Sequence, residues 1–94
     1  MLNENVRQFN ISVGQKIKKR RLELKKTQSW LAKKIGVTFQ QIQKYEKGSN
    51  GTNAFNLKEI AYALQVSILY FFVEEKPLLL TKDMEITNDQ SASR

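Results

Sequence analysis

Side chains suited to hydrogen bonding are concentrated between residues 38 and 44. A glutamine amide can make two hydrogen bonds with the edge of an adenine, and a lysine can reach the acceptors of a guanine. An apolar ring among them can cover a thymine methyl group. The members of this stretch that carry such groups are Thr38, Phe39, Gln40, Gln41, Gln43 and Lys44. The chemistry that their types permit is contact with base edges.

Residue types that commonly catalyse reactions or bind metals are scarce in the sequence. The chain contains no histidine and no cysteine, which removes the commonest general base and most ligands of zinc. Catalysis would have to depend on carboxylates, lysines or hydroxyls, and the sequence shows no convergent set of these groups. We therefore predict that the protein is not an enzyme and uses no metal or other cofactor.

Lysine and arginine are concentrated in the first half of the chain. Residues 1–48 hold 12 of them against 3 glutamates, whereas residues 49–94 hold 4 against 6 acidic residues. A surface with this asymmetry attracts a polyanion, because the phosphates that it neutralises release their condensed counterions. The charge distribution favours a nucleic acid as partner, and a merely solvated basic surface is the alternative.

Capping patterns indicate the elements that would position these side chains. Ser12 and Gln15 have the spacing of a capping box, in which each residue satisfies a main-chain N–H group of the other. Val13, Ile17 and Leu24 then recur at helical spacing. The pattern predicts a first helix that begins after Ser12.

Two shorter helices follow, with a glycine turn between them. Thr27 is the expected N-cap of the second helix, and Gly36 its expected end, because glycine readily adopts the left-handed conformation. Thr38 and Gln41 form another capping box and begin the third helix, which ends at Gly48. The apolar residues of the two helices that we expect in the core are Leu31, Ala32, Ile35, Ile42 and Tyr45.

A fourth helix and a short apolar stretch complete the pattern. Asn53 or Asn56 is the expected N-cap of the fourth helix. Its residues with the spacing of a buried face are Leu57, Ile60, Ala61 and Leu64. Ser67 precedes the apolar residues 68–73, which we interpret as a fifth helix that closes the core. A strand is the alternative for so short a run.

These elements predict a single domain with two polar extensions. We expect residues 1–11 to form a flexible N-terminal arm, residues 12–75 the folded domain, and residues 76–94 a largely disordered tail. No stretch is apolar enough for a membrane span, and the first residues are too polar for a secretory signal. The expected location is the cytoplasm, at the nucleoid, with no membrane partner.

The stretch Gln28–Gly48 resembles the helix-turn-helix of phage-repressor-like (Cro/cI, or XRE) regulators. Within it, Thr38–Glu46 is particularly similar to a subgroup of bacterial chromosomal members, and Leu57–Ser67 resembles the family's fourth helix and the entry to its fifth. The resemblance covers about residues 12–75. It implies an all-α fold, a compact five-helix lambda-repressor-like domain, which inserts its third helix, residues 38–47, into the major groove of double-stranded DNA.

The resemblance also implies roles for individual residues. Gln28 matches the position that grips a phosphate at the start of the second helix, and Arg21 matches a position that pairs with a glutamate, here Glu46. Gln40 and Lys44 are the expected base readers, because the first turn of a recognition helix points at base edges. The further residues that we expect at the phosphates are Lys47, Asn50, Thr52 and Asn53.

Several of these residues have a structural alternative. Gln41 is equally well suited to capping its own helix, and Phe39 to packing on Val37 or on a partner. Gln43 could face solvent on the outer flank of the third helix. Trp30 follows no pattern, since it adjoins the core residue Leu31 at a position that is usually exposed and polar, so an interface is one interpretation.

The resulting hypothesis is a DNA-binding transcriptional regulator that acts as a repressor. A homodimer on a roughly palindromic site is expected, because one short helix reads few bases, and no small-molecule ligand is evident. The alternative is an antitoxin or adaptor that also binds DNA and docks a protein through the apolar residues 68–73 and Leu78–Leu80.

Overall fold

The computed structural model describes residues 3–73, which fold into helices joined by short loops. The elements are α1 (Glu4–Glu23), α2 (Gln28–Ile35), α3 (Phe39–Lys47), α4 (Ala54–Leu64) and the 3₁₀ helix η1 (Ile68–Phe71). No strand is present among these residues, which confirms the all-helical prediction. The predicted count of five helices is not confirmed, because residues 3–73 form four α-helices and the fifth element is a 3₁₀ helix of four residues.

Helix α1 begins nine residues earlier than the Ser12 capping box predicts. Its N-cap is Asn3, whose Oδ1 accepts a hydrogen bond of 2.9 Å from the main-chain N–H of Val6. Gln8 and Arg7 donate to the Glu4 carboxylate, and these hydrogen bonds lower the pKa of Glu4 below its ordinary value. The predicted arm is therefore wrong from Glu4 onward, because residues 4–11 are helical.

Ser12 lies inside α1, where the main chain is already hydrogen bonded within the helix. Its hydroxyl instead accepts a long hydrogen bond of 3.4 Å from Lys16 Nζ, one turn further along. Asn3 begins the helix instead. The Ser12 pattern is misleading because residues 4–11 are mostly polar and show no apolar helical period, although they are helical.

The predicted boundaries of the two central helices are confirmed. Thr27 Oγ1 and Thr38 Oγ1 each accept a hydrogen bond of 3.0 Å from the N–H three residues ahead. Gly36 and Gly48 end the helices with φ angles of 76° and 79°, in the left-handed region that β-carbons disfavour. At α4, Asn53 is the N-cap and accepts from the Asn56 N–H at 2.7 Å.

One apolar cluster between the helices forms the core. Its fully or almost fully buried members are Val13, Ile17, Leu31, Ala32, Ile42, Tyr45, Leu57, Ile60, Ala61, Leu64 and Phe71. These include the core residues predicted for the second, third and fourth helices, except Ile35, which is partly buried and packs against the cluster together with Leu24. The helical periodicity of the sequence thus located the core.

Phe71 is the one buried residue of the apolar stretch 68–73, and Tyr70 is partly buried and packs against the core beside it. Phe71 is buried, whereas Leu69, Phe72 and Val73 are mostly or largely exposed. A 3₁₀ turn places successive residues on different sides, so a run of six apolar residues cannot all face inward. The predictions for residues 76–94, including Leu78–Leu80, lie outside the described residues.

The close contact between α1 and α3 depends on Gly14. A β-carbon at this position would collide with the main-chain carbonyl oxygens of Tyr45 and Glu46. Since these carbonyls belong to α3, the absence of a side chain at Gly14 lets the two helix backbones touch. This contact fixes the distance of α3 from the longest helix of the fold.

We expect the substitution Gly14→Ala to destabilise the fold by about 1–3 kcal/mol, since the extra methyl group must push α1 and α3 apart. Alanine has the better helix propensity, by about 1 kcal/mol, so the measured loss is a net effect. Urea unfolding followed by circular dichroism measures it. Gln15→Ala is the matched control, because Gln15 is the exposed neighbour in the same helix, and equal stability of the two variants would contradict the close contact.

Candidate nucleic-acid interface

Helix α3 has one buried face and one exposed face. Ile42, Tyr45 and Glu46 are buried, because they point toward α1, α2 and α4. The residues of α3 that are exposed are Phe39, Gln40, Lys44 and Lys47, and Gln43 is half-buried beside them. The structure therefore brings Gln40 and Lys44, the expected readers, together on one surface, one helical turn apart.

The two residues of the predicted capping box differ in their surroundings. The Thr38 hydroxyl accepts from the Gln41 N–H, so this hydroxyl begins α3 and is exposed at its end. Gln41 contributes its main-chain N–H to the cap, and its side chain stays half-buried. The capping role is confirmed for Thr38, whereas among residues 3–73 no hydrogen bond joins the Gln41 side chain to the Thr38 N–H. The Gln41 amide group is therefore available for another contact.

A buried ion pair connects α1 to the end of α3. Arg21 Nε lies 2.7 Å from one carboxylate oxygen of Glu46, and an Arg21 terminal nitrogen lies 3.0 Å from the other. The remaining terminal nitrogen of Arg21 donates to the carbonyl of Lys26 at 2.7 Å. In this bidentate geometry the guanidinium makes two charge-assisted hydrogen bonds to one carboxylate, which are stronger than hydrogen bonds between neutral groups. The predicted pair is thereby confirmed.

Gln28 joins the same network at the first turn of α2. Its amide Nε2 donates to Glu46 at 2.9 Å, a contact that the sequence could not reveal because Gln28 and Glu46 are 18 residues apart. The main-chain N–H groups of Gln28 and Ser29 have no acceptor among residues 3–73. Such N–H groups at the start of a helix are suited to an anion such as phosphate.

The end of α3 and the loop between α3 and α4 carry the other predicted phosphate contacts. Lys47 and Asn50 are exposed and Thr52 is half-buried. Asn53 is engaged as the N-cap of α4, and Asn56 donates from Nδ2 to the Tyr45 hydroxyl at 3.1 Å. Asn53 is therefore tied to the fold, whereas Lys47 and Asn50 are accessible.

Trp30 lies beside the core and under two lysines. Its ring is half-buried against the apolar cluster, and Lys26 Nζ and Lys34 Nζ lie 5.0 Å and 5.6 Å from its centroid. These distances are those of cation–π contacts. Trp30 thus holds two positive charges at the α1–α2 end of the molecule, and it forms no part of the exposed face of α3.

Helix α2, the turn at Gly36 and Val37, and helix α3 together form a helix-turn-helix. A family model described as Helix-turn-helix matches residues 17–71, more than half of the chain. The chain belongs to this family, in its phage-repressor-like (XRE) type. The family is one of transcriptional regulators and not of enzymes. Among residues 3–73, no helix has the length and apolarity to cross a membrane, and no group of three residues is suited to hold a metal.

Individual relatives show the same similarity. The chain is 55% identical over 60 residues to an uncharacterized transcriptional regulator in the ATPase CF(0) region of Rhodospirillum rubrum, covering 64% of this chain and 56% of that protein. It is 50% identical over 68 residues to an uncharacterized HTH-type transcriptional regulator of Sinorhizobium fredii, covering 72% and 47%. An uncharacterized HTH-type transcriptional regulator of Rickettsia prowazekii is 41% identical over 70 residues, covering 74% and 54%. The chain spans about half the length of these relatives.

We expect Arg21→Met to lower the free energy of unfolding by about 3–5 kcal/mol, because the Glu46 carboxylate would stay buried without its partner. Urea unfolding measures the loss. Arg7→Met is the matched control, since the Arg7–Glu4 pair lies on the exposed surface, where water screens the charges and the pair contributes little to stability. Similar losses in the two variants would show that the buried pair does not hold α3.

Proposed function

We propose that the protein is a sequence-specific double-stranded DNA-binding transcriptional regulator that reads the major groove with residues 38–47. The observation that carries the proposal is the exposed face of α3, which presents amides and ammonium groups on one side of a helix. The family of the chain and the names of its relatives, which are transcriptional regulators, support the regulatory role.

The charge of α3 favours contact with DNA. Its only carboxylate belongs to Glu46, which is buried and neutralised by Arg21. The exposed face therefore carries the positive charges of Lys44 and Lys47 with no negative charge from its own helix. A surface of this kind approaches the phosphate backbone without the repulsion that an exposed carboxylate would add.

The exposed residues of α3 are suited to different base contacts. Gln40 lies in the first turn, where side chains of a recognition helix reach base edges, and Lys44 lies one turn further. Phe39 is 40% exposed, which leaves its ring free to cover a thymine methyl group or a sugar. The flanking residues of this proposed base-reading set are Thr38, Gln41 and Gln43.

Phosphate contacts would flank the groove on both sides of α3. The free N–H groups at the start of α2 would bind one phosphate, where Gln28 lies. Lys47, Asn50 and Thr52, with Asn53 at the end of the loop, would bind another. Contacts of this type set the register of the protein on the duplex and leave the choice of sequence to α3.

A homodimer and a repressing action complete the proposal. Helix α3 has nine residues, so a single copy reads few base pairs, and two copies on a palindromic site would double the sequence that is read. Occupying a promoter is enough to block transcription, which requires no further activity from this chain. An antitoxin or adaptor is the second candidate, because Leu69 and Val73 expose apolar surface near one end of the molecule.

Selection of binding sites from random duplexes by the 94-residue chain tests the proposal. We expect an enriched sequence with half-site symmetry, whose spacing reports the geometry of a dimer. Recovery of duplexes without a shared sequence would contradict specific recognition. Isolation of the chain with a second protein in fixed stoichiometry would favour the adaptor.

We expect Gln40→Ala to weaken binding to the selected duplex by about 1–3 kcal/mol, since it removes the hydrogen bonds to one base. Binding to random duplexes and thermal stability should stay unchanged. Fluorescence anisotropy titration measures both affinities. Gln15→Ala serves as the control, because it removes an exposed glutamine from α1, and an equal loss on every duplex would assign Gln40 to the backbone.

Lys47→Ala should give the opposite pattern. Because a phosphate contact carries no sequence information, we expect affinity to fall by a similar factor on the selected and on random duplexes. The slope of log affinity against log salt should decrease in magnitude by about 1. Anisotropy titrations at several salt concentrations measure the slope, and an unchanged slope would place Lys47 away from DNA.

A further inference from the structure

A cleft between α2 and α4 contains Trp30, the aromatic residue that the proposed DNA-binding surface leaves unexplained. We name it the α2/α4 cleft, and its volume is about 600 Å³. The residues that line it include Trp30, Lys34, Glu59, Tyr62, Ala63 and Val66. None of its lining residues belongs to α3, so an occupant of the cleft would leave the exposed face of α3 free.

The walls of the α2/α4 cleft are apolar and aromatic. Trp30, Ala63 and Val66 are half-buried and pack against the core, whereas Tyr62 is 84% exposed. Tryptophan and tyrosine are enriched where proteins bind one another, because each ring buries a large area and keeps a polar group for a hydrogen bond. The cleft is therefore suited to an apolar side chain of another protein.

Two ammonium groups lie at the α2 edge of the cleft. Lys26 and Lys34 are exposed, and the Nζ atoms of both lie at cation–π distance from the Trp30 ring. These contacts hold both positive charges beside the wall that Trp30 forms. A binding partner would thus meet the apolar wall and the two charges at the same place.

Neither lysine has a carboxylate partner within the described part of the chain. The acidic residues of positions 3–73 are Glu4, Glu23, Glu46 and Glu59, and each pairs with a different basic residue. Glu59, at the α4 edge of the cleft, pairs with Lys58 at 3.1 Å. The α2 edge therefore keeps two uncompensated positive charges, which carboxylates of a partner would complement.

The combination of charge and apolar walls favours a protein segment over DNA. A phosphate backbone binds through charge and polar contacts, and it gains nothing from apolar walls. An acidic peptide segment with an apolar side chain would use both features of the cleft. Its carboxylates would make charge-assisted hydrogen bonds to the lysines, and its apolar side chain would leave water.

We propose that the α2/α4 cleft is a docking site for an acidic segment of another protein. An apolar side chain of that segment lies between Trp30 and Tyr62, and its carboxylates pair with Lys26 and Lys34. In the proposed regulator, this site would bring a second protein to the DNA that α3 binds.

The fluorescence of Trp30 tests the proposal, because Trp30 is the single tryptophan of the chain. The 94-residue protein is titrated with a short synthetic peptide of glutamate and leucine, and separately with the same peptide carrying glutamine for every glutamate. We expect the glutamate peptide to move the indole emission to shorter wavelength and to bind about tenfold more tightly than the glutamine peptide. No change in emission, or equal affinity for the two peptides, would overturn the proposal.

Paired lysine variants test where the carboxylates bind. Lys26→Met combined with Lys34→Met should lower the affinity for the glutamate peptide by about tenfold and have little effect on the glutamine peptide. The matched control is Lys18→Met combined with Lys33→Met, which removes the same charge from exposed positions outside the cleft. Equal losses in the two double variants would reduce the effect to net charge and overturn the proposal.

Tyr62→Ala tests the apolar part of the site. It should weaken the binding of both peptides, because both carry leucine. Phe55→Ala is the matched control, since Phe55 is an exposed aromatic residue of α4 that does not line the cleft. Equal effects of the two substitutions would overturn the placement of the segment in the cleft.

Two further outcomes would assign the cleft to a different occupant. If a random DNA duplex shifts the Trp30 emission and the Lys26 and Lys34 double variant loses affinity for that duplex, the lysines contact phosphate and the proposal is overturned. An emission shift that depends on protein concentration, without peptide, would overturn it in favour of a second copy of the chain. The peptide titrations need no DNA, so their result is independent of the proposed function.

Discussion

The buried pair between Arg21 and Glu46 connects the parts of the molecule that must act together. Arg21 belongs to α1 and Glu46 to α3, and Gln28 adds the first turn of α2 to the same carboxylate. The end of the proposed reading helix and the start of the proposed phosphate-binding helix are thus held through one charged group. The two side chains are 3% to 7% exposed. If one of them is removed, water therefore cannot reach the charge of the other and take the place of its partner.

This network orients the helices more than it stabilises the fold. A buried ion pair gains little net free energy over apolar residues of the same size, because desolvation offsets the attraction. The apolar cluster and the close contact at Gly14 provide the stability and the distance between α1 and α3. The Arg21–Glu46 pair then fixes the orientation of α3 relative to α1. Because Arg21 neutralises Glu46, the exposed face of α3 carries no negative charge from its own helix.

Local signals were sufficient for the centre of the fold and insufficient at its ends. Thr27, Thr38 and Gly36 act on N–H groups or backbone angles within a few residues, so their roles are visible in the sequence. At Ser12, a local signal was present, but the helix was already continuous from Asn3. The hydrogen bond between Gln28 and Glu46 depends on how α2 and α3 cross. The family resemblance implied Arg21 as a partner of Glu46, but it did not imply Gln28. The division of residues 68–73 into one buried and several exposed side chains likewise depends on the short 3₁₀ turn.

We propose that the exposed face of α3 and the start of α2 form the DNA-binding surface. Amide chemical shifts of the ¹⁵N-labelled chain, measured during titration with the duplex obtained by selection, test it most directly. We expect the largest changes at Phe39, Gln40 and Lys44 and at the N–H groups of Gln28 and Ser29, with α4 and η1 almost unchanged. Changes concentrated on α4 or η1, with α3 unaffected, would contradict it.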